Sequence, residues 1–532
     1  MDIEIVLLNE ICRVNDNEIL LTSLKRSIED RTLLIPIYYW PDYFEEKLPN
    51  TGYKRIGPHR ESFYIRQLKF ANSLFDKVLG IDIVIIKGAK QLKEFLIEII
   101  KDNEISIIRN RKNMGDIKKI HEEIREVKNE INIEYNVSIS FEPHKKETSF
   151  CNFLHECFVR ECIIKNLPIR NRSDFISRTI SNTNYLISLL NSYREYKEIE
   201  GNIFQKFVES NTNINKEIKI LGRKYSKQAL SELKTRSETS FLELDPNKRF
   251  IDWLLDSEGE GIYNYHLERK NAEPNSSKLS PYIAFGSISQ ISIFYKMQYI
   301  CLYINNLYNS TTSQNRNTEV MRSIFNEEER SDLDGISHLT YESLNKKQVK
   351  FKDFNEGYIK FLEELGDSSF NQLYIYKFSK EILSEEISLL YKQAKELNKY
   401  SEGINKLLLS SNRAINAIIE ELLTTGYISN KCRMLLCNVA FKHSQRINFE
   451  EVRELLEHYL IDYIDSSTLY GVLWSIGVFD SLSINSGDIM TRRYSSRKFM
   501  SENIKYINNY SPERDIYSNP KERMNTSSII EI

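Results

Sequence analysis

The chain opens on short runs in which nearly every residue is apolar and many are β-branched. Residues 3–8, 33–39, 81–86 and 105–108 are such runs, and 131–139 is a possible fifth. Between them apolar positions recur every three or four residues, as over 61–79 and 90–101. A continuous apolar run suits a strand buried on both faces, and one-faced amphipathic helices suit the layers that cover it. The pattern predicts a parallel, Rossmann-like α/β domain over residues 1–140. From about Ser149 the strand signal fades. Phe150, Phe153, Leu154, Cys157 and Phe158 keep helical spacing, and 176–190 and 218–233 read the same way. The expected architecture is therefore an α/β N-terminal domain followed by a large all-α domain. Residues 141–240 are read as a helical linker, 241–510 as the helical body and 511–532 as a polar tail. The polar stretch 309–319 (NSTTSQNRNTE) predicts a loop.

Composition adds limits. Of 532 residues, 41% are apolar and 28% charged, a globular balance. Net charge is −2, from 73 Lys+Arg against 75 Asp+Glu, so any nucleic acid must be met by a local basic patch. Arg492-Arg493-Tyr494-Ser495-Ser496-Arg497-Lys498-Phe499 is one basic run with aromatics that suits a phosphate backbone, although such a run is more often a solvated loop. Seven cysteines include no C-x-x-C pair, and Cys151, Cys157 and Cys162 read as buried thiols on a helix rather than metal ligands. The first residues alternate acidic and apolar without a basic lead, which predicts a strand and not a signal peptide. No apolar run reaches membrane-spanning length, so a cytoplasmic protein is expected.

Two segments carry candidate chemistry. Ser276-Ser277-Lys278-Leu279-Ser280-Pro281 offers hydroxyls, a cation and N–H groups near a helix start, which suits a pyrophosphate. The same residues also describe a helix with a serine N-cap. Thr425-Gly426-Tyr427-Ile428-Ser429-Asn430-Lys431-Cys432-Arg433-Met434 follows an apolar helix, and Gly426 stands where a helix end favours positive φ.

These segments resemble photolyases and cryptochromes. The run from Ser276 to Ser289 is similar to that family's T-S-R/K-L/F-S-P-x-L-A-x-G-x-L-S, with Tyr265 and Arg269 where it has Y-x-x-x-R. The run from Thr425 to Met434 resembles T-G-W-x-H-N-R-x-R-M. Near the N-terminus, Arg13-Val14-Asn15-Asp16-Asn17 resembles R-x-x-D-N, and Gly57-Pro58-His59-Arg60 with Phe63 resembles G-P-x-R-x-x-F. The similarity covers roughly residues 1–116 and 246–508; the insert 303–370 matches nothing in the family pattern.

The resemblance implies an FAD site built from Tyr265, Ser276, Ser277, Lys278, Leu279, Ser280, Asn430, Arg433, Asp462 and Thr468. Arg433 would pair with Asp462, placed at the start of the following helix, and Thr468 would lie beside flavin N5. Asn430 and Met434 would face the substrate side, and Tyr376 would stack on a base. The implied activity is that of a carbon–carbon lyase: light-driven repair of pyrimidine photoproducts by electron transfer from reduced flavin, in a monomer whose partner is damaged DNA. A cryptochrome-like sensor and a light-independent flavoenzyme are the competing readings.

The pattern is broken in several places. The chain has three tryptophans, Trp40, Trp253 and Trp474, so the family's usual electron-transfer tryptophan chain is absent. Two of its stations read Val472 and Phe449. The family histidine is Ser429. The helix that reads E-x-x-W-R-E/D-F in the family corresponds to Leu373-Tyr374-Ile375-Tyr376-Lys377-Phe378, without the Glu and the Trp. Leu7-Leu8-Asn9-Glu10-Ile11-Cys12-Arg13 departs from W-F-R-x-D-L-R, so no folate antenna is expected in the usual mode.

Overall fold

The computed structural model describes residues 3–135 and 243–510, short stretches inside each span excepted. Four strands, β1 (Ile3–Leu7), β2 (Leu33–Trp40), β3 (Val84–Lys87) and β4 (Ile105–Arg109), form one parallel sheet in the order β3-β2-β1-β4. Strand β1 is central, with Ile5 opposite Ile35 on one side and Ile108 on the other. All five of its residues are buried, which is why the sequence shows no alternation there. Helices α1 (Pro58–Leu79) and α2 (Gly88–Ile100) are the crossovers, and α3 (Gly115–Tyr135) follows β4. Pro58 opens α1 after the N-cap Gly57, and Gly80 closes it at φ 63°.

The expected fifth strand at 131–139 is not one. Residues up to Tyr135 continue α3, and the rest of that run lies outside the described residues. Ile120, Ile124, Val127 and Ile131 are all buried at steps of three and four, so the helical period outweighs the β-branched composition.

The helical part comprises α4 (Pro246–Leu255), α5 (Tyr265–Glu268), α6 (Ser280–Phe285), α7 (Gln290–Asn309), α8 (Glu327–Lys346), α9 (Phe351–Ser379), α10 (Glu385–Leu397), α11 (Asn405–Leu408), α12 (Arg413–Thr425), α13 (Asn430–Lys442), α14 (Phe449–Tyr459), α15 (Asp465–Ser475), α16 (Ser481–Ser486), α17 (Ser496–Glu502) and α18 (Ile504–Tyr510). Most of the insert is thus helical, in α8 and α9. Asn309 ends α7, and the core of the expected loop, 310–317, lies outside the described residues. So do Cys151, Cys157 and Cys162, the linker helices at 176–190 and 218–233, Arg492 to Ser495, and the tail. Cys12, Cys301, Cys432 and Cys437 are buried thiols. Among the described residues no three His, Cys, Asp or Glu side chains are grouped to hold a metal, and no helix is long and apolar enough to cross a membrane.

Two apolar cores result. One runs from Ile3 to Leu365, joining the sheet and α1–α3 to α4–α9, with Ile461 added from beyond α14. The other runs from Ile387 to Ile507 through α10–α18, with Ala272 added from before α6. Two glycines fasten the α/β part to the helical part. Gly286 has φ 96°, and a Cβ there would lie 2.2 Å from the Glu10 backbone. Its carbonyl accepts from Arg13 Nη1 at 3.1 Å, while Phe285 stacks on Tyr38 with centroids 5.6 Å apart. Strand order reverses at β1, so this turn sits at the carboxyl end of the strand where such sheets commonly hold a ligand. Gly426, at φ 69°, would place a Cβ 2.6 Å from His59 Cβ.

Replacing Gly286 by alanine combines an unfavourable backbone with a clash, and is expected to cost roughly 2–5 kcal/mol, read as a lowered denaturation midpoint. A pH dependence is also built in. Burial pushes the His458 ring down to about 4; the Lys54 carbonyl opposes this, and the charges of Arg60, His59 and Lys54 add to it. Burial likewise lowers His59, opposed by the Leu423 carbonyl and helped by Arg66. Both rings are neutral in the fold, whereas the unfolded chain takes up protons near 6.5. Their contribution is complete above that pH and declines as pH falls below it, in the case of His458 down to about 4. Thermal melts between about pH 7 and about pH 4.5 should show a shallower decline in His458→Gln than in the parent.

Candidate functional site

Asp462 lies in the turn between α14 and α15, three residues ahead of the helix start where the sequence reading put it. Its Oδ1 and Oδ2 accept from Arg433 Nη2 at 2.8 and 2.7 Å, and Ser280 Oγ donates to Oδ2 at 2.7 Å. The Asp462 side chain is 4% exposed and that of Arg433 22%. Burial alone would lower the Arg433 pKa, but Asp462 and Tyr427 beside it carry it above the usual guanidinium range, so the cation is fixed.

Local structure explains how Arg433 reaches this place. Ser429 Oγ accepts from Cys432 N–H at 3.3 Å, an N-cap bond that starts α13. The residue that stands in place of the family histidine is thus a helix cap. Arg433, one turn in, donates its backbone N–H to Ser429 O at 3.0 Å and its Nε to Ile428 O at 3.0 Å. Its guanidinium carbon lies 5.7 Å from the centroid of the Tyr427 ring.

The serine-rich segment is arranged differently from a capped helix. The N-cap of α6 is Leu279 and makes no side-chain bond; Ser280 is the first helical residue and spends its hydroxyl on Asp462. Arg249 Nε donates to Ser277 O at 3.1 Å, and the Tyr282 hydroxyl donates to Glu243 O. Ser277 and Leu279 are buried. Lys278 is exposed with φ 51°, a left-handed conformation that a lysine adopts at a cost.

Tyrosines close the cluster. Burial raises the Tyr427 phenol, and Asp462 adds to this; Arg433 and the hydroxyls of Ser276 and Ser280 pull it down. Tyr265 is raised by burial and next by Tyr427, against Arg269. Its ring meets Trp253 edge-on at 5.7 Å and Phe361 at 5.9 Å. Arg269 pairs with Glu364 of α9. The structure therefore brings together Ser276, Ser280, Tyr265, Arg433 and Asp462. It adds Tyr427, a member of the Thr425–Met434 run for which the resemblance implies no role.

The remaining expected residues lie on α13, α15 and α9. Asn430 is exposed at the start of α13, Met434 is half-buried in its second turn, and Thr468 is buried in α15 with its N–H on Ile464 O. None of the three hydrogen-bonds to the Arg433–Asp462 pair. Tyr376 falls on α9 at a position whose side chain lies outside the described part.

The cluster suits a polar, anionic group. Arg433 is a fixed cation there, and the hydroxyls of Ser276, Ser280 and Tyr427 gather beside Asp462. A bound group with its own donors and acceptors would pair with such groups. Arg433→Met leaves Asp462 buried with one partner and is expected to cost about 2–4 kcal/mol. The double variant Arg433→Met/Asp462→Asn should recover part of that loss, as measured by chemical denaturation.

No family model matches the sequence, and no curated protein matches it. Solved structures do. A cryptochrome from Synechocystis sp. PCC6803 aligns with a TM-score of 0.58 at 14% identity, covering 99% of this chain and 94% of its own. A bacterial class III photolyase from Agrobacterium tumefaciens gives 0.51 at 12% identity, over 100% and 92%. An archaeal photolyase from Sulfolobus tokodaii, solved with two FAD molecules, gives 0.50 at 15% identity, over 99% and 94%. Parallel sheet, helical body and alignment along almost the whole chain agree: this protein has the fold of the photolyases and cryptochromes.

Proposed function

We propose that this chain binds FAD at the Arg433–Asp462–Ser280 cluster and acts as a light-driven repair protein for pyrimidine photoproducts in DNA. The observation that carries the cofactor reading is the three-way contact of Asp462 with Arg433 and Ser280, formed by the two segments that resemble the FAD motifs. Arg433 and Asp462 would face the isoalloxazine ring. Ser276, Ser277, Lys278 and Leu279 would hold the pyrophosphate, with Lys278 exposed on a left-handed backbone, and Ser280 would fix Asp462 beside them. Tyr265 would close the site against Trp253 and Phe361.

Reduced FAD, when bound, supplies the electron that light makes available to a lesion. The protein's share is to hold charge and exclude water. Arg433 stays cationic and offsets negative charge beside Asp462, in surroundings where such an interaction is stronger than in water. Ser429 caps α13 and carries a hydroxyl, a far weaker acid and base than the imidazole of the family's histidine. This last observation favours a second reading, a cryptochrome-like sensor that keeps flavin without turnover.

The absorption spectrum of the purified protein, and of the chromophore released by heating, tests the first step. An FAD spectrum that Arg433→Met weakens supports the site; no flavin after reconstitution removes it. Reduced, FAD-loaded protein under blue light should then restore oligonucleotides bearing cyclobutane or (6-4) lesions. Bound FAD with no repair leaves the sensor reading.

A further inference from the structure

We propose that Asn50 to Arg60, in the α/β part, is a positioning segment for Asp462, an inference that rests on the FAD reading above. The link is α14. Glu454, Glu457 and His458 stand at i, i+3 and i+4, so they share one face of this helix. Every one of them is bound to the segment. The Glu454 carboxylate is fully buried and accepts from Asn50 N–H at 3.0 Å, Asn50 Nδ2 at 2.6 Å, Thr51 N–H at 2.8 Å and Thr51 Oγ1 at 2.9 Å. Arg55 Nη1 donates to Glu457 Oε1 at 2.6 Å. His458 Nδ1 pairs with Lys54 O at 2.5 Å, and Gly57 lies so close that a Cβ would sit 1.9 Å from His458 O.

Helix α14 ends at Tyr459, and Asp462 follows three residues later. The next residue, Tyr463, joins a different cluster. Its hydroxyl donates to Asp465 Oδ1 at 2.6 Å and lies 3.2 Å from Glu457 Oε2. Arg453 Nη1 reaches Asp465 Oδ1 at 3.0 Å and Glu457 Oε2 at 3.3 Å. Arg60 covers the Tyr463 ring, 5.1 Å from its centroid, and donates Nη2 to Arg55 O at 2.9 Å. Behind the turn, Ile461 N–H is bonded to Gly426 O at 2.9 Å.

Neighbouring residues 462 and 463 are therefore held by two separate networks, one at the candidate cofactor cluster and one reaching into the α/β part. Displacing the segment moves α14 and Tyr463, and the backbone they share with Asp462 carries the displacement to the cluster. The hydrogen bonds that hold Asp462 are 2.7–2.8 Å long and weaken steeply with misalignment, so small displacements are felt there. Arg55 and Thr51 are positioning residues in this account; neither touches the Asp462 cluster.

The test uses full-length protein and reads FAD affinity, the visible circular dichroism of the bound flavin, and melting temperature without FAD. Arg55→Met should weaken FAD binding about five- to tenfold and alter the flavin dichroism, as expected of coupling between separated sites. Arg55→Lys should restore most of both. Ile124→Val, a truncation in the core under α3, should lower the melting temperature without either effect. Thr51→Val carries the same expectation should Arg55→Met fail to fold. Unchanged affinity and dichroism in Arg55→Met, or a loss that Ile124→Val reproduces at equal destabilisation, would overturn the inference alone. Parent protein that takes up no FAD would remove the cofactor reading, and this inference with it.

Discussion

Asp462 is a buried carboxylate, and much of the helical part is arranged so that it can be one. An isolated charge in such a place would be prohibitively costly, so it must be matched by a cation and by hydrogen-bond donors. Arg433 and Ser280 supply them from positions 29 and 182 residues away. The requirement sets the direction of α13, the start of α6 and the turn after α14. It also places the cluster where the two apolar cores meet, since Leu279 and Tyr265 belong to one and Ile428, Cys432 and Leu435 to the other. A polar contact at that seam adds a directional tie to the apolar packing on either side.

The sheet was legible because strands buried on both faces must be apolar throughout, and short β-branched runs are visible without alignment. The misread strand at 131–139 shows the limit: Ile131 is β-branched, but its burial follows the stripe set by Ile120, Ile124 and Val127. The Arg433–Asp462 pair could be anticipated from the motifs, since each residue sits in a recognisable run. The part played by Ser280 could not, because a hydroxyl near a helix start looks the same whether it caps that helix or reaches for a carboxylate. Nothing local announced the contact of Asn50 and Thr51 with Glu454, whose partners are about 400 residues apart in sequence.

The N-terminal motifs have a physical reading of their own. Arg13 meets the Gly286 carbonyl, His59 meets Gly426, and Arg60 covers Tyr463. Each resembles a family motif on the α/β side and is seated on a residue in or next to one on the helical side. These short runs are the joint between the two parts, and the candidate chemistry lies a few residues further in. Departures from the family pattern reach the joint too, since Leu7 to Arg13 is one of them, and others lie in the helical part. Ser429 caps a helix, Val472 and Phe449 fill the second core, and Trp253 packs against Tyr265.

The joint also bears on how the chain is made. Arg13 and Gly286 are separated by 273 residues, and Lys54 and His458 by 404. At about 5–20 residues per second of synthesis, the second of these contacts cannot form until roughly 20–80 seconds after its first half leaves the ribosome. Tyr38, Phe63 and Tyr64 pack on Phe285 and Tyr282 in the finished protein, 219 to 247 residues further along, so for roughly 10–50 seconds they have no helical body to cover them. The nascent N-terminal sheet therefore passes through a stage with an open aromatic face, and this is where chaperone binding or aggregation would act on the chain.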